Sequence, residues 1–422
     1  MRLYMKYWSS FISVFLILVI SCSKSEITLP PKNSDANLSG TTFIDGSVMK
    51  KMEGIYVQED GGDNLGKQFV CKVSKFKVSF FSNKDGIFII LKYGLNPVDG
   101  SIQFSGFWRY SETTEQGNIY FAMSAANGAT DLLNGIISNL KLEGEFLHGS
   151  SSGTSLSLKY DRSFSQYATT HEFMVFAHHG VQTTANPPFA ENSLGGVLND
   201  EDYGVTGLEF DVRMTKDNVP ICIHDPTINV RLTQKGPLSG NWDQYNFKFI
   251  TEHLRLIDGQ KLPSVEQVVN AFVDSTTLKY LWMDIKGNPN IFKYLEPIVR
   301  NAYAKAATKN RNITIFAGMP SDDVIQDFKN NPSYGLQANP LPTLCEQSVD
   351  KAIENKSNFF GPRYSEGLLL PDVEKAHANN IKVISWTLNS KGIIRDYLKN
   401  GKFDGFITDY PAYVVYNYYT MF

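Results

Sequence analysis

The sequence predicts two folded parts in series: a small all-β domain, then an irregular (β/α)8 barrel of the α/β class. Three observations support this. From about residue 41 to 165, short apolar segments are separated by turn-forming clusters, as in antiparallel hairpins. From about residue 170 onward, strand-like segments alternate with helical ones over about 250 residues, the usual size of such a barrel. The residues with chemistry to offer fall at the C-terminal ends of those strands, where barrels of this kind gather their sites.

The first segment stands apart from both. Arg2 and Lys6 precede an apolar run, residues 11–20, too short for a spanning helix. It ends in Val19-Ile20-Ser21-Cys22, with polar residues after it. This pattern resembles a bacterial lipoprotein signal over residues 1–22, which implies lipidation of Cys22 and a lipid-anchored place in the bacterial cell envelope. Residues 23–40, rich in Ser, Pro, Asn and Lys, suit a tether between membrane and body.

The whole 422-residue sequence has 42% hydrophobic and 20% charged residues, ordinary values for a folded chain. A net charge of -3 argues against a nucleic-acid partner, which a basic face would serve. Apart from Cys22, the cysteines are Cys71, Cys222 and Cys345, too few and too scattered for a disulfide framework. Cys222 sits in an apolar run and reads as a buried thiol.

In the β domain the expected strands are 69–73, 76–81, 87–92, 102–110, 119–125, 135–147 and 155–160, forming a barrel or sandwich. No His, Asp, Glu or Cys cluster there suggests catalysis, so it reads as an accessory or binding module, with a glycan or a lipid as the ligand class to consider. In the barrel, occupying residues 170–422, the expected strands are 173–177, 207–212, 220–223, 278–285, 313–317, 382–386 and 406–408, with weaker ones at 334–336 and 359–360. Helices are expected at 264–274, 291–308, 321–329, 371–379 and 392–399. Only a short link joins strands 207–212 and 220–223, too short for a helical crossover, so the barrel is expected to be irregular there.

His178 follows the first barrel strand. Glu209 and Asp211, two residues apart on a strand, point the same way. Two carboxylates on one face suit a hard divalent cation. His224 ends the next segment, and two histidines beside a cation suit general base and acid. Farther on, Trp282, Asp284 and Lys286 share one face of their strand. Together these point to metal-assisted phosphoester cleavage.

The segments His178-His179-Gly180, Glu191-Asn192, Glu209-Phe210-Asp211, Thr215-Lys216-Asp217-Asn218, His224-Asp225, Asp284-Ile285-Lys286, Trp386-Thr387 and Asp404-Gly405-Phe406-Ile407-Thr408-Asp409 occur in that order. In this order they resemble the glycerophosphodiester phosphodiesterase family, from about residue 173 to 415. The resemblance implies that Glu209, Asp211 and Asp284 hold Ca2+ or Mg2+, and that His178 and His224 exchange base and acid roles. It further implies that Lys286 and His179 contact phosphate, that Glu191 and Asn192 frame the mouth and that Trp386 walls the substrate pocket. His179 stands where the family has arginine, and Asp284 where it usually has glutamate. Asn218 replaces a turn glycine, a position asparagine tolerates. The expected reaction is hydrolysis of a glycerophosphodiester to glycerol 3-phosphate and an alcohol. Two alternatives remain open at this level: phospholipase C- or D-like cleavage of intact lipid on the same barrel, and a non-catalytic ligand-binding lipoprotein.

Overall fold

The computed structural model describes residues 26–32, 36–84, 86–137, 139–148, 152–180, 187–331 and 341–422. Cys22 and the weak strand expected at 334–336 lie outside the described residues.

The β domain is a closed antiparallel barrel made of Gly54–Asp60, Gln68–Val73, Val78–Ser82, Phe88–Leu95, Ile102–Arg109, Gln116–Met123, Lys141–Phe146 and Thr154–Arg162. Pairing of the first strand with the last closes it, so no sheet edge is left open. Side chains alternate in and out, and Tyr56, Phe69, Phe80, Phe104 and Trp108 fill the interior. Two expectations shift. The strand expected at 135–147 begins only at Lys141, because residues Ala129–Leu133 form a short helix and Gly135 follows with a positive φ of 82°. Gly54–Asp60, not anticipated, is apolar at Ile55-Tyr56-Val57 and polar at Gln58-Glu59-Asp60, and acquires strand form by pairing on both sides.

The second domain contains a nine-stranded sheet, in which Pro220–Cys222 is antiparallel to its single neighbour and the rest form a parallel barrel. The parallel strands are Met174–Ala177, Gly207–Met214, Tyr280–Ile285, Thr314–Met319, Thr343–Cys345, Phe359–Phe360, Lys382–Ser385 and Gly405–Thr408. The last pairs with the first and completes the circle. The strand expected at 220–223 is therefore no barrel member: it folds back on Gly207–Met214, pairing Val212 with Cys222. Gly207–Met214 pairs directly with Tyr280–Ile285, and the eighth barrel strand is Thr343–Cys345, between Thr314–Met319 and Phe359–Phe360, three residues too few to show a period. Helix Val265–Ser275 starts at a capping box in which Ser264 and Gln267 satisfy each other's backbone N–H. Helix Ile291–Thr308 has the expected bounds. The Tyr-rich C-terminal stretch is helix Pro411–Met421, buried along most of its length. Cys71, Cys222 and Cys345 are buried free thiols.

The two domains share one apolar core. Ile55, Val70, Phe81, Phe88 and Ile90 on the outside of the β barrel join Tyr203, Val205, Tyr413, Val414 and Val415 of the second domain. Tyr203 meets Phe88 edge-on, ring centroids 4.9 Å apart. Ser74 donates to Asp202 at 2.6 Å beside it. Tyr203→Ala is expected to cost about 3 kcal/mol, seen as a lower midpoint of chemical denaturation of the full chain.

Candidate active site

Local geometry brings most of the expected residues to one mouth. Parallel pairing sets Glu209 beside Trp282 and Asp211 beside Asp284. One oxygen from each of Glu209, Asp211 and Asp284 then lies within 4.8 Å of the others. Glu209 and Asp211 are buried, and Asp284 is half-buried. Lys286 Nζ sits 2.9 Å from Asp211 Oδ1 and 2.6 Å from Asp284 Oδ2.

The carboxylates are held from behind. Asn192 Nδ2 donates to Asp211 Oδ2 at 2.8 Å, and Asn192 Oδ1 accepts the Asp211 backbone N–H at 2.9 Å. Asn192 has a positive φ of 59°, which asparagine tolerates. The backbone N–H of His179 donates to Glu209 Oε2 at 2.9 Å. Its ring lies between Glu191 and Asp211, with nitrogens 3.6 and 3.5 Å from their oxygens. His179 therefore contacts acidic neighbours from the position where the family has arginine. Asn218 has φ 61°, and Thr215 Oγ1 donates to Asp217 at 2.6 Å, so that segment serves as a turn.

Each of the other two histidines has a carboxylate behind it. His178 Nδ1 is 2.7 Å from Asp409 Oδ1. Asn389 holds Asp409 in turn, donating to its side chain and accepting its backbone N–H at 2.9 Å. His224 Nδ1 is 2.8 Å from Asp225 Oδ1. A carboxylate at Nδ1 fixes the tautomer and leaves Nε2 for a reacting proton. The three rings adjoin: His178 and His179 centroids are 3.7 Å apart, His179 and His224 5.2 Å.

Arg231, from the segment between His224 and the next barrel strand, ties the second pair to the mouth. Its guanidinium donates to Asp225 at 2.7 and 3.1 Å and to Glu191 at 2.8 and 3.0 Å. This fork fits two carboxylates as a lysine does not. Arg231→Ala is expected to lower kcat/KM about tenfold by loosening Asp225 behind His224, and Arg231→Lys should recover little of it; steady-state kinetics on the two variants checks this.

The electrostatics fit a cation bound among the three carboxylates. Burial, then the Asp211 charge, pushes Glu209 up to about 8. Burial, helped by Asp211 and opposed by Lys286, raises Asp284. Burial works against an ionised Asp211 too, but the His179 and Lys286 charges outweigh it and hold its carboxyl well below the usual range. Asp284 Oδ1 is buried without a hydrogen-bond partner among the described residues. Too much negative charge, an orphaned oxygen and an ammonium bridging two carboxylates all suit a divalent ion held by oxygen donors. Burial would raise Glu191, yet His179 and Arg231 bring it down to about 2. His179 is raised despite its burial, by Asp211 and Glu191. Burial and the His179 charge lower His178, with Asp409 opposing.

Trp386 follows Lys382–Ser385 and packs on the barrel's interior layer. Its indole N–H donates to the Gly361 carbonyl at 2.7 Å, and the Arg363 guanidinium lies 5.0 Å from its ring centroid. Asp225 and Asp409 belong to the segments His224-Asp225 and Asp404-Gly405-Phe406-Ile407-Thr408-Asp409 that carry the family resemblance, which gives them no role of their own. Arg231 has no local signature, since tertiary folding alone brings it in.

The profile of the glycerophosphoryl diester phosphodiesterase family matches residues 178–413. A glycerophosphodiester phosphodiesterase of Caldanaerobacter subterraneus subsp. tengcongensis is 24% identical over 253 residues, covering 57% of this chain and 96% of that protein. Among solved structures, a putative glycerophosphoryl diester phosphodiesterase from Silicibacter pomeroyi is similar with TM-score 0.47 and 20% identity, covering 61% of this chain and 98% of that one. An Oleispira antarctica phosphodiesterase, solved with the product sn-glycerol-3-phosphate, is similar with TM-score 0.44 and 15% identity, covering 59% and 97%.

Proposed function

The chain belongs to the glycerophosphoryl diester phosphodiesterase family, and on that premise we propose that its barrel hydrolyses glycerophosphodiesters to glycerol 3-phosphate and an alcohol, with a divalent cation, Ca2+ or Mg2+. The observation that carries this reading is the meeting of three carboxylates with two histidine–carboxylate pairs at one barrel mouth. Glu209, Asp211 and Asp284 would hold the cation, which when bound supplies Lewis-acid charge at the phosphoryl group.

The protein's own groups move the protons. His178, neutral and oriented by Asp409, takes the proton of the attacking hydroxyl at Nε2. As the bond from phosphorus to the departing oxygen breaks, His224, oriented by Asp225, protonates that oxygen from its own Nε2. The two then exchange roles in any second step in which water opens a cyclic phosphate. Lys286 adds a point charge beside the phosphate. Release of glycerol 3-phosphate from glycerophosphocholine, assayed with added Ca2+ or Mg2+ and after chelation, tests the reading. Turnover indifferent to chelation would remove the metal, and absence of turnover with either ion would remove the reaction.

The lipoprotein-like segment supports attachment to the bacterial envelope through Cys22, placing the enzyme beside lipid-derived substrates. Cys22→Ala is expected to move the protein from the membrane fraction to the soluble fraction and to abolish its labelling by fatty acid.

A further inference from the structure

Residues 26–32, on the way from Cys22 to the body, lie against the β domain. Pro30-Pro31 keeps the backbone extended and removes two N–H donors, so side chains of the β domain hold the segment by its carbonyls. Arg109 Nη1 donates to the Thr28 carbonyl at 3.2 Å, Gln116 Nε2 to that of Leu29 at 2.8 Å and Asn118 Nδ2 to that of Lys32 at 3.0 Å. Farther on, Thr42 and Leu95 exchange backbone hydrogen bonds at 2.8 and 2.9 Å. Arg109 and Leu95 lie at opposite ends of one strand pair. The chain thus passes from one end of the β domain at Thr28 to the other at Thr42, as a strap rather than a spacer.

The Thr28 end of the strap is the mouth end. Its N–H donates to the Pro187 carbonyl at 3.3 Å, and Pro187 shortly precedes Glu191 at the mouth. The turn after Ile102–Arg109 is tied to the same side of the barrel, Glu112 pairing with Lys391 Nζ at 2.8 Å just past Asn389, which holds Asp409. Cys22 precedes Thr28 by six residues, a stretch of at most about 22 Å. A lipid on Cys22 is therefore kept to the mouth side of the molecule. On that side Leu29, Val230, Tyr364 and Leu370 are exposed. Val230 adjoins Arg231, and the Tyr364 N–H donates to the Trp386 carbonyl at 2.9 Å. Apolar side chains beside an anchor can enter the interfacial layer of a bilayer. We propose that the strap holds the barrel mouth against the phospholipid headgroup layer that carries the anchor, with these four side chains as its contact points, so that the site opens toward the bilayer. This rests on the lipoprotein reading of Cys22.

The test uses the lipidated full chain in vesicles of phosphatidylethanolamine and phosphatidylglycerol that carry a headgroup-linked quencher. A fluorophore is attached at Val230→Cys, on the mouth side, or at Val98→Cys, in the exposed turn at the far end of the β domain. Cys71, Cys222 and Cys345 are buried and stay unlabelled. Strand Ile102–Arg109, of 8 residues, alone puts about 25 Å between the two ends of the β domain, so quenching at least about threefold stronger at 230 than at 98 is expected. Two changes should diminish this contrast: a flexible Gly/Ser insertion of about 20 residues after Ser23, and Gln116→Ala combined with Asn118→Ala. Unchanged turnover of dissolved glycerophosphocholine in both shows that the barrel is intact. Equal quenching at the two positions with fatty acid present on Cys22, or a contrast that survives either change undiminished, would overturn the orientation and leave the anchor standing. Absence of fatty acid from Cys22 would overturn the anchor and the orientation together, and would leave the phosphodiesterase reading untouched.

Discussion

Replacing His178 or His224 by alanine is expected to lower kcat on glycerophosphocholine about a thousandfold each, within the range for loss of a positioned acid or base. KM should change little, since neither ring is asked to hold the substrate's uncharged parts. The carboxylates behind them make a finer test. Asp409→Asn keeps the shape of the contact to His178 Nδ1 but removes its charge, and about a hundredfold loss is expected. The pH profile separates this from simple misplacement. His178 already lies below the ordinary imidazole value because burial and the His179 charge outweigh Asp409. The acid limb of kcat/KM should therefore fall below pH 6.5 in the unmodified enzyme. Losing Asp409 removes the group that raises His178, so in Asp409→Asn the limb should move lower still. A limb that stays in place would mean that His178 is not the titrating base.

The parts of this site legible from sequence are those in which local geometry does the work. Two-residue spacing on a strand is enough to put Glu209 and Asp211 on one face, and the same rule places Trp282 and Asp284. Helix Ile291–Thr308 was readable because an apolar stripe repeats along several turns. Where a segment is too short to show a period, sequence says little. Thr343–Cys345 becomes a strand because neighbours on both sides supply its hydrogen bonds, whereas the weaker strand expected at Phe359–Phe360 is present. A short link likewise signals that Pro220–Cys222 is close to Gly207–Met214, but not that the pair turns back outside the barrel. Arg231 reaches the mouth by tertiary folding from a segment with no chemical pattern of its own. His179 shows the opposite case: its position was legible, while its engagement of Glu191 and Asp211 depended on where those carboxylates lie.

Asp211→Ala is expected to abolish binding of Ca2+ or Mg2+ at this site and to reduce turnover by at least about a thousandfold, since a fully buried member of the carboxylate set is lost together with the charge facing His179 and Lys286. Metal titration followed by calorimetry measures the first effect, and kinetics at saturating metal the second. The unmodified protein offers a companion test in the metal-free state. Glu209 is raised to about 8 by burial and by Asp211, against about 4.3 for an exposed glutamate. Between those values the folded chain holds a proton that the unfolded chain has released. Stability contributed by this group is therefore present at low pH and is lost as pH rises toward 8. Asp211 is depressed below this window and is ionised in both states across it, so it does not reverse the sign. A bound divalent ion must displace the Glu209 proton, so metal affinity should rise from pH 6 to pH 8 while the metal-free protein loses stability over the same interval. Saturating Ca2+ should then flatten the stability profile, because the cation takes over the charge compensation that the proton supplies. Thermal unfolding at pH 6 and pH 8.5, with and without Ca2+, reads both effects. Equal metal affinity at the two pH values, with no change in metal-free stability, would show that the three carboxylates are not the ones the cation engages.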